Sequence, residues 1–221
     1  MSRKDECGIC FGSRSLGYAP GVSALVAARI AIFGGTFDPI HDAHLAVARE
    51  AADGVSLDRV LFVPAKNPPH KLGDLHAPFD DRMRMVELAC AADVRFEASR
   101  IEDRPGRSYS FDTVVLAREQ CGESAQLFFL IGADAFAEIR SWHRWQELVK
   151  LVEFIVVSRP RRAFDVPEGA RVERLDTLEL PVSSSGIRKS LERGELDVPI
   201  PDGVRQYILS HGLYLSRSVQ P

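Results

Sequence analysis

Short unbroken apolar runs alternate along the chain with stretches where apolar residues recur every three or four positions. The runs RIAIFGG (29–35), DRVLFVP (58–64), VRFEASR (94–100), QLFFLIG (126–132) and VEFIVVS (152–158) predict strands, most of them bounded by glycine, proline or polar residues. Helical spacing predicts helices over HLAVAREAADG (44–54), PFDDRMRMVELACAAD (78–93), SFDTVVLAREQCG (110–122), WHRWQELVK (142–150), SSSGIRKSLERGE (183–195) and PDGVRQYILSHG (201–212). In the second of these, Met83, Val86, Leu88 and Ala89 form the apolar positions with charged residues between them. Ser110 is the expected N-cap of the third helix and Gly122 its stop, while Pro201 opens and Gly212 closes the last.

Strands alternating with helices imply βαβ units, hence an α/β fold with a doubly wound, mostly parallel sheet and helices on both faces. At 221 residues the chain has room for one such domain, expected over 29–215. Residues 1–28, small and Gly- and Ser-rich, are expected to be a disordered extension or the product of an early start codon, and 216–221 a tail. Asp5, Glu6, Arg14 and Pro20 interrupt what a secretory signal would need as an apolar stretch. No apolar run approaches the roughly 18 to 20 residues that cross a bilayer.

The composition, 45% apolar and 27% charged, is that of an ordinary globular protein, and a net charge of −3 argues against a general nucleic-acid binder. Cys7 and Cys10 make one CxxC without a second ligand pair nearby, so structural zinc is not expected there. Cys90 and Cys121 fall in helical patterns and are expected to be buried thiols. This usage suits a reducing cytoplasm, and nothing in the sequence opposes a homo-oligomer.

In doubly wound sheets ligands bind outside the carboxyl ends of the strands. Four such ends carry the polar residues: GGTFDPIH after the first strand, PAKNPPHK after the second, GAD after the fourth and SRP after the fifth. They predict a single cleft. Within GGTFDPIHDAHL (34–45), His41 and His44 lie three apart, on one side of a helical turn. Catalytic zinc would need a third ligand, which His70 or His143 could supply only by tertiary chance, and the zincin pattern is absent. The phosphate-loop and G-x-G-x-x-G patterns are absent too. A phosphate site uses more of the residues: a Gly-Gly turn for close backbone approach, a helix N-terminus with free N–H groups, and two imidazoles that can donate to developing charge.

GGTFDPIHDAHL resembles the GGTFDPxHxGHL signature of bacterial nicotinate-nucleotide adenylyltransferases, in the HxGH nucleotidyltransferase superfamily. PPHK (68–71), RSYSFDTV, LIGADAF, SW before His143, SRP and VSSSGIR follow in that family's order, so the resemblance spans nearly all of 29–215. It implies a Rossmann-like nucleotidyltransferase fold and a reaction in NAD biosynthesis: nicotinate mononucleotide and ATP give nicotinate adenine dinucleotide and pyrophosphate. It also implies Mg²⁺, carried by the ATP phosphates rather than by protein ligands, and no covalent enzyme intermediate. Such chemistry asks the protein for positioning and charge stabilisation.

By position, the resemblance gives His41 and His44 the ATP phosphates, with His44 nearest the developing charge and Arg188 adding its guanidinium. It gives Gly34, Gly35, Thr36 and Phe37 the turn under the nucleotide, and Gly132 and Asp134 the ribose, although Asp134 read alone could equally cap AFAEIR. Arg159 would flank the adenine, and Ser184 and Ser185 the triphosphate. Lys71, Tyr109, Ser110, Trp142 and His143 would form the mononucleotide site, with Trp142 and His143 stacking on the pyridine. Ala43 stands where the family has glycine, Val182 and Ser185 where it has Ile and Thr, and His143 where Tyr is frequent. The alternatives are another acceptor, nicotinamide mononucleotide or phosphopantetheine, or a non-catalytic nucleotide-binding regulator of the same fold.

Overall fold

The computed structural model describes residues 27–69, 75–158, 163–176 and 182–216. Six strands form one sheet: β1 (Arg29–Gly35), β2 (Arg59–Pro64), β3 (Phe96–Ala98), β4 (Gln126–Gly132), β5 (Glu153–Ser158) and β6 (Arg171–Asp176). Their order is β3-β2-β1-β4-β5-β6 and every neighbouring pair is parallel. The seven helices among the described residues are α1 (Asp42–Gly54), α2 (Phe79–Cys90), α3 (Ser110–Cys121), α4 (Ala133–Ala137), α5 (Trp145–Leu151), α6 (Ser184–Glu192) and α7 (Asp202–Ser210). None is long and apolar enough to cross a membrane.

The strands read as unbroken apolar runs because alternate residues enter two different cores. Ala31, Val60, Phe62, Phe128, Leu130 and Ile155 face one layer, with Leu45 and Ala48 of α1, Val86 of α2, Ile187 of α6 and Val204 of α7. Ile30, Ile32, Leu61, Phe129, Ile131 and Phe154 face the other, with Val114 of α3 and Leu148 of α5. The sheet is thus doubly wound, and it is entirely rather than mostly parallel.

Four local readings are corrected. Strand β6, burying little of RVERLD, carries no apolar run that would have predicted it. Strand β3 keeps only three of the seven residues expected of it. Helix α3 is preceded by Tyr109 as N-cap, so Ser110 is its first residue and makes no capping bond; Gly122, at φ 85°, ends it as expected. Helix α5 starts at Trp145, because a 3₁₀ turn (Ile139–Ser141) and an extended Trp142 occupy the segment before it. The expectations for residues 1–26, including Cys7 and Cys10, lie outside the described residues. Cys90 is buried in α2, where burial pushes its thiol up to about 12, whereas Cys121 is only half-buried.

Candidate active site

The order β2-β1-β4 makes the carboxyl end of β1 the switch point, where chain departs to both sides of the sheet. The turn that leaves it is built around Gly35. A Cβ there would lie 2.9 Å from the Phe37 ring, too close for any side chain, while one on Gly34 would meet only ordinary contact at 3.7 Å. Phe37 itself takes a left-handed φ of 47° and turns its ring into the core, so it offers the turn backbone only. Asp38, 2% exposed and joined to Pro39 by a cis peptide, accepts from the His76 and Ala77 N–H groups and from the Tyr214 hydroxyl.

Arg82 is wholly buried behind this turn. Its Nη1 donates to the Thr36 carbonyl at 2.7 Å and the Ala65 carbonyl at 2.9 Å, and Nε donates to the Ala77 carbonyl at 3.2 Å. Burial pulls its pKa down and the neighbouring Asp38 charge opposes this. The charged residues of α2 are interspersed with its apolar positions, and a charged side chain ordinarily faces water. Arg82 departs from that, and its position carries a signal: it falls at the helical spacing of Met85, Val86 and Ala89 on the apolar stripe.

His41 is the N-cap of α1 and His44 its third residue. Their rings stack 3.7 Å apart at 22°, so the expected pairing on one side of the helix is present. The Nδ1 of His44 accepts from the His41 backbone N–H at 3.3 Å, which leaves the proton of the neutral ring on Nε2. Phe37 and Phe33 meet the His44 ring edge-on at 5.1 and 6.0 Å. His41 is 5% exposed, and its buried Nδ1 has no hydrogen-bond partner among the described residues. Burial, partly offset by a backbone hydrogen bond, lowers its pKa from 6.5 to about 4, so it is neutral at pH 7.

That shift has a sign. Between pH 6.5 and about 4 the unfolded chain binds the His41 proton and the folded chain does not, so acidification through this window favours unfolding. The expected loss is about 3 kcal/mol, from the difference between the two values. Denaturant midpoints from pH 7 to 4 should fall less steeply in His41→Asn than in the wild type. Parallel curves would contradict the assignment.

Helix α6 brings the second set of groups. Ser183 caps it by accepting from the Gly186 N–H, and Ser184 Oγ donates to the Pro39 carbonyl at 2.9 Å. Arg188 Nη1 donates to the Asp38 carbonyl at 2.7 Å. Ser184 therefore spends its proton on mounting α6 against the turn, while the exposed Ser185 and the half-buried Arg188 line a cavity of about 440 Å³ beside it.

On the other side of Gly34 and Gly35 opens a cleft of about 270 Å³, lined also by Ser110, Gly132 and Trp142. Glu102, 4% exposed and bonded to Thr113, lines it too, although its charged neighbourhood suggests a solvated loop. Trp142 is braced edge-on by Phe129. His143 does not pair with Trp142; its exposed ring stacks on Tyr109 at 4.4 Å, and neither of those two lines the cleft. Asp134 is exposed in the first turn of α4, whose N-cap is Gly132, so it is not the cap of AFAEIR. Lys71, Arg159 and His70 lie outside the described residues.

A parallel sheet whose switch point carries a glycine turn and a histidine-capped helix is a frame for holding nucleotide phosphates. Residues 32–190 match the model of the cytidylyltransferase-like family. A "Probable nicotinate-nucleotide adenylyltransferase" of Solibacter usitatus is 54% identical over 186 residues, 84% of this chain and 99% of the relative. One of the same name from Acidothermus cellulolyticus is 41% identical over 196 residues, 85% and 94% of the two chains. The chain belongs to the cytidylyltransferase-like family and, within it, to the nicotinate-nucleotide adenylyltransferases. The Plasmodium falciparum nicotinic acid mononucleotide adenylyltransferase, solved with NaAD, shares the fold at a TM-score of 0.70 and 22% identity, over 85% of this chain and 97% of its own.

Proposed function

We propose that this chain transfers the adenylyl group of ATP to nicotinate mononucleotide, giving nicotinate adenine dinucleotide and pyrophosphate. One observation carries the reading: Gly34 and Gly35 both lead into the histidine-bearing turn and line the cleft with Trp142. An acceptor whose ring lies in that cleft presents its phosphate at the start of α1. There it attacks the α-phosphorus of ATP in line, the bond to the bridging oxygen breaks, and pyrophosphate leaves with the electron pair. No side chain needs to act as nucleophile, because positioned donors and local charge lower the barrier.

In this reading Nε2–H of His44 donates to the phosphate undergoing transfer, and neutral His41 donates beside it. Arg188, Ser185 and the N-terminus of α6 receive the leaving phosphates, with Ser184 holding the helix in place. Gly34, Gly35 and Thr36 supply backbone under the nucleotide, and Gly132 and Asp134 face the ribose; the family resemblance alone gives Arg159 the adenine. Trp142 and Ser110 line the acceptor's cleft, the stacked Tyr109 and His143 stand outside that lining, and Lys71 is given to the same substrate by the family resemblance alone. Mg²⁺ would be held by the ATP phosphates rather than by protein side chains, and would supply positive charge to them. The Solibacter usitatus relative, more than half identical, carries the name of this activity.

The test is pyrophosphate release with ATP and Mg²⁺, comparing nicotinate mononucleotide, its amide and phosphopantetheine. Turnover should be fastest with nicotinate mononucleotide. Absence of turnover with either mononucleotide would overturn the reading.

A further inference from the structure

Asp38 is the point where three distant pieces of chain meet the turn after β1. Its carboxylate takes the His76 N–H at 2.8 Å, the Ala77 N–H at 3.1 Å and the Tyr214 hydroxyl at 2.6 Å, while its own carbonyl takes Arg188 at 2.7 Å. The Pro39 carbonyl next to it takes Ser184. The orientation of Arg188 and the seating of α6 therefore depend on the backbone of residues 38–39, two to six positions ahead of His41 and His44. What fixes that backbone is the carboxylate, and its one side-chain hydroxyl donor among the described residues comes from far along the chain, at Tyr214.

Tyr214 lies beyond α7 in a turn where both Gly212 and Tyr214 take left-handed backbone, at φ 63° and 61°. For a residue with a bulky side chain this conformation is costly and persists only where the surroundings enforce it. Here the ring packs against the core and the hydroxyl ends on a carboxylate that is 2% exposed. Burial first, and the Asp38 charge next, push the hydroxyl's pKa well above the ordinary tyrosine range, so it remains a donor. Tyr214 also shares the wall of one cavity with Ser185 and Arg188.

We infer that Tyr214 is a positioning residue for adenylyl transfer: through Asp38 it sets the phosphate turn and the direction of Arg188. The inference rests on the activity proposed above, and wild-type turnover separates the two, since a silent wild type defeats the activity and leaves Tyr214 out of the question. Tyr214→Phe keeps the ring and deletes only the hydroxyl. It should lower kcat about tenfold, a fraction of the roughly 10²-fold that misplacing reacting groups by 1 Å can cost. KM for the mononucleotide should stay within about twofold, because the cleft with Trp142 is built from other elements.

In an Arg188→Ala background the same substitution should cost less than about twofold, since the group it directs is gone. A residue that merely stabilised the fold would lower the melting temperature and leave kcat and this coupling untouched. Asp38→Asn, of the same size, is the second route and should show the same kcat loss and the same dependence on Arg188. Folded Tyr214→Phe or Asp38→Asn enzyme with wild-type kcat, or losses that multiply independently of Arg188→Ala, would overturn the inference.

Discussion

His44→Ala lowers kcat for pyrophosphate release by about 10²-fold or more, the scale for losing one donor aimed at charge that develops in the transition state. The size follows from how the ring is held. His41 stacks on one face, Phe33 and Phe37 press edge-on, and the His41 N–H occupies Nδ1. A ring fixed this way spends no reorganisation when Nε2–H meets a phosphate oxygen. The same deletion removes the acceptor for the His41 N–H at the start of α1, a loss of about 1 kcal/mol on the scale of helix caps. The catalytic loss should therefore far exceed the stability loss. Steady-state kinetics on the folded variant check this, and a kcat within twofold of wild type would remove His44 from the role.

The contrast between what the chain's pattern predicts and what it hides has physical causes. The buried strands and GGTFDPIHDAHL are legible because each is local: an apolar run ending in glycine, or two imidazoles one helical turn apart. Strand β6 hides because an edge strand with charged residues lacks the apolar run that marks a core strand. His143 stacks on Tyr109, which lies 34 positions earlier by residue number, and no spacing rule spans such a distance. Ser184 reads as a phosphate ligand from its motif, yet its proton goes to the Pro39 carbonyl. Asp38 and Tyr214 meet across 176 positions, so only the closed fold shows the pair. Arg82 is the intermediate case, since its place on the apolar stripe of α2 was visible, but an arginine there is ordinarily assigned to water.

Arg82→Met is the substitution expected to cost the fold most, about 3–5 kcal/mol, the range for removing one partner from a buried charged network. Methionine roughly retains the bulk, so the cost is polar rather than a cavity. Three carbonyls lose their donor: Thr36 after β1, Ala65 after β2 and Ala77 before α2. Asp38 keeps its hydrogen bonds but loses the buried positive charge that faces it. For a chain of this size a loss of 1 kcal/mol lowers the melting temperature by about 2–4 °C, so a fall of roughly 6–20 °C is expected. Differential scanning calorimetry measures it, and a change under about 2 °C would contradict the network. Arg82→Lys should fall between, because an ammonium keeps the charge near Asp38 but cannot span three carbonyls in the plane of a guanidinium. Below its own melting temperature the methionine variant should still turn over more slowly, since the carbonyl of Thr36 that Arg82 holds belongs to the same turn that presents His41 and His44.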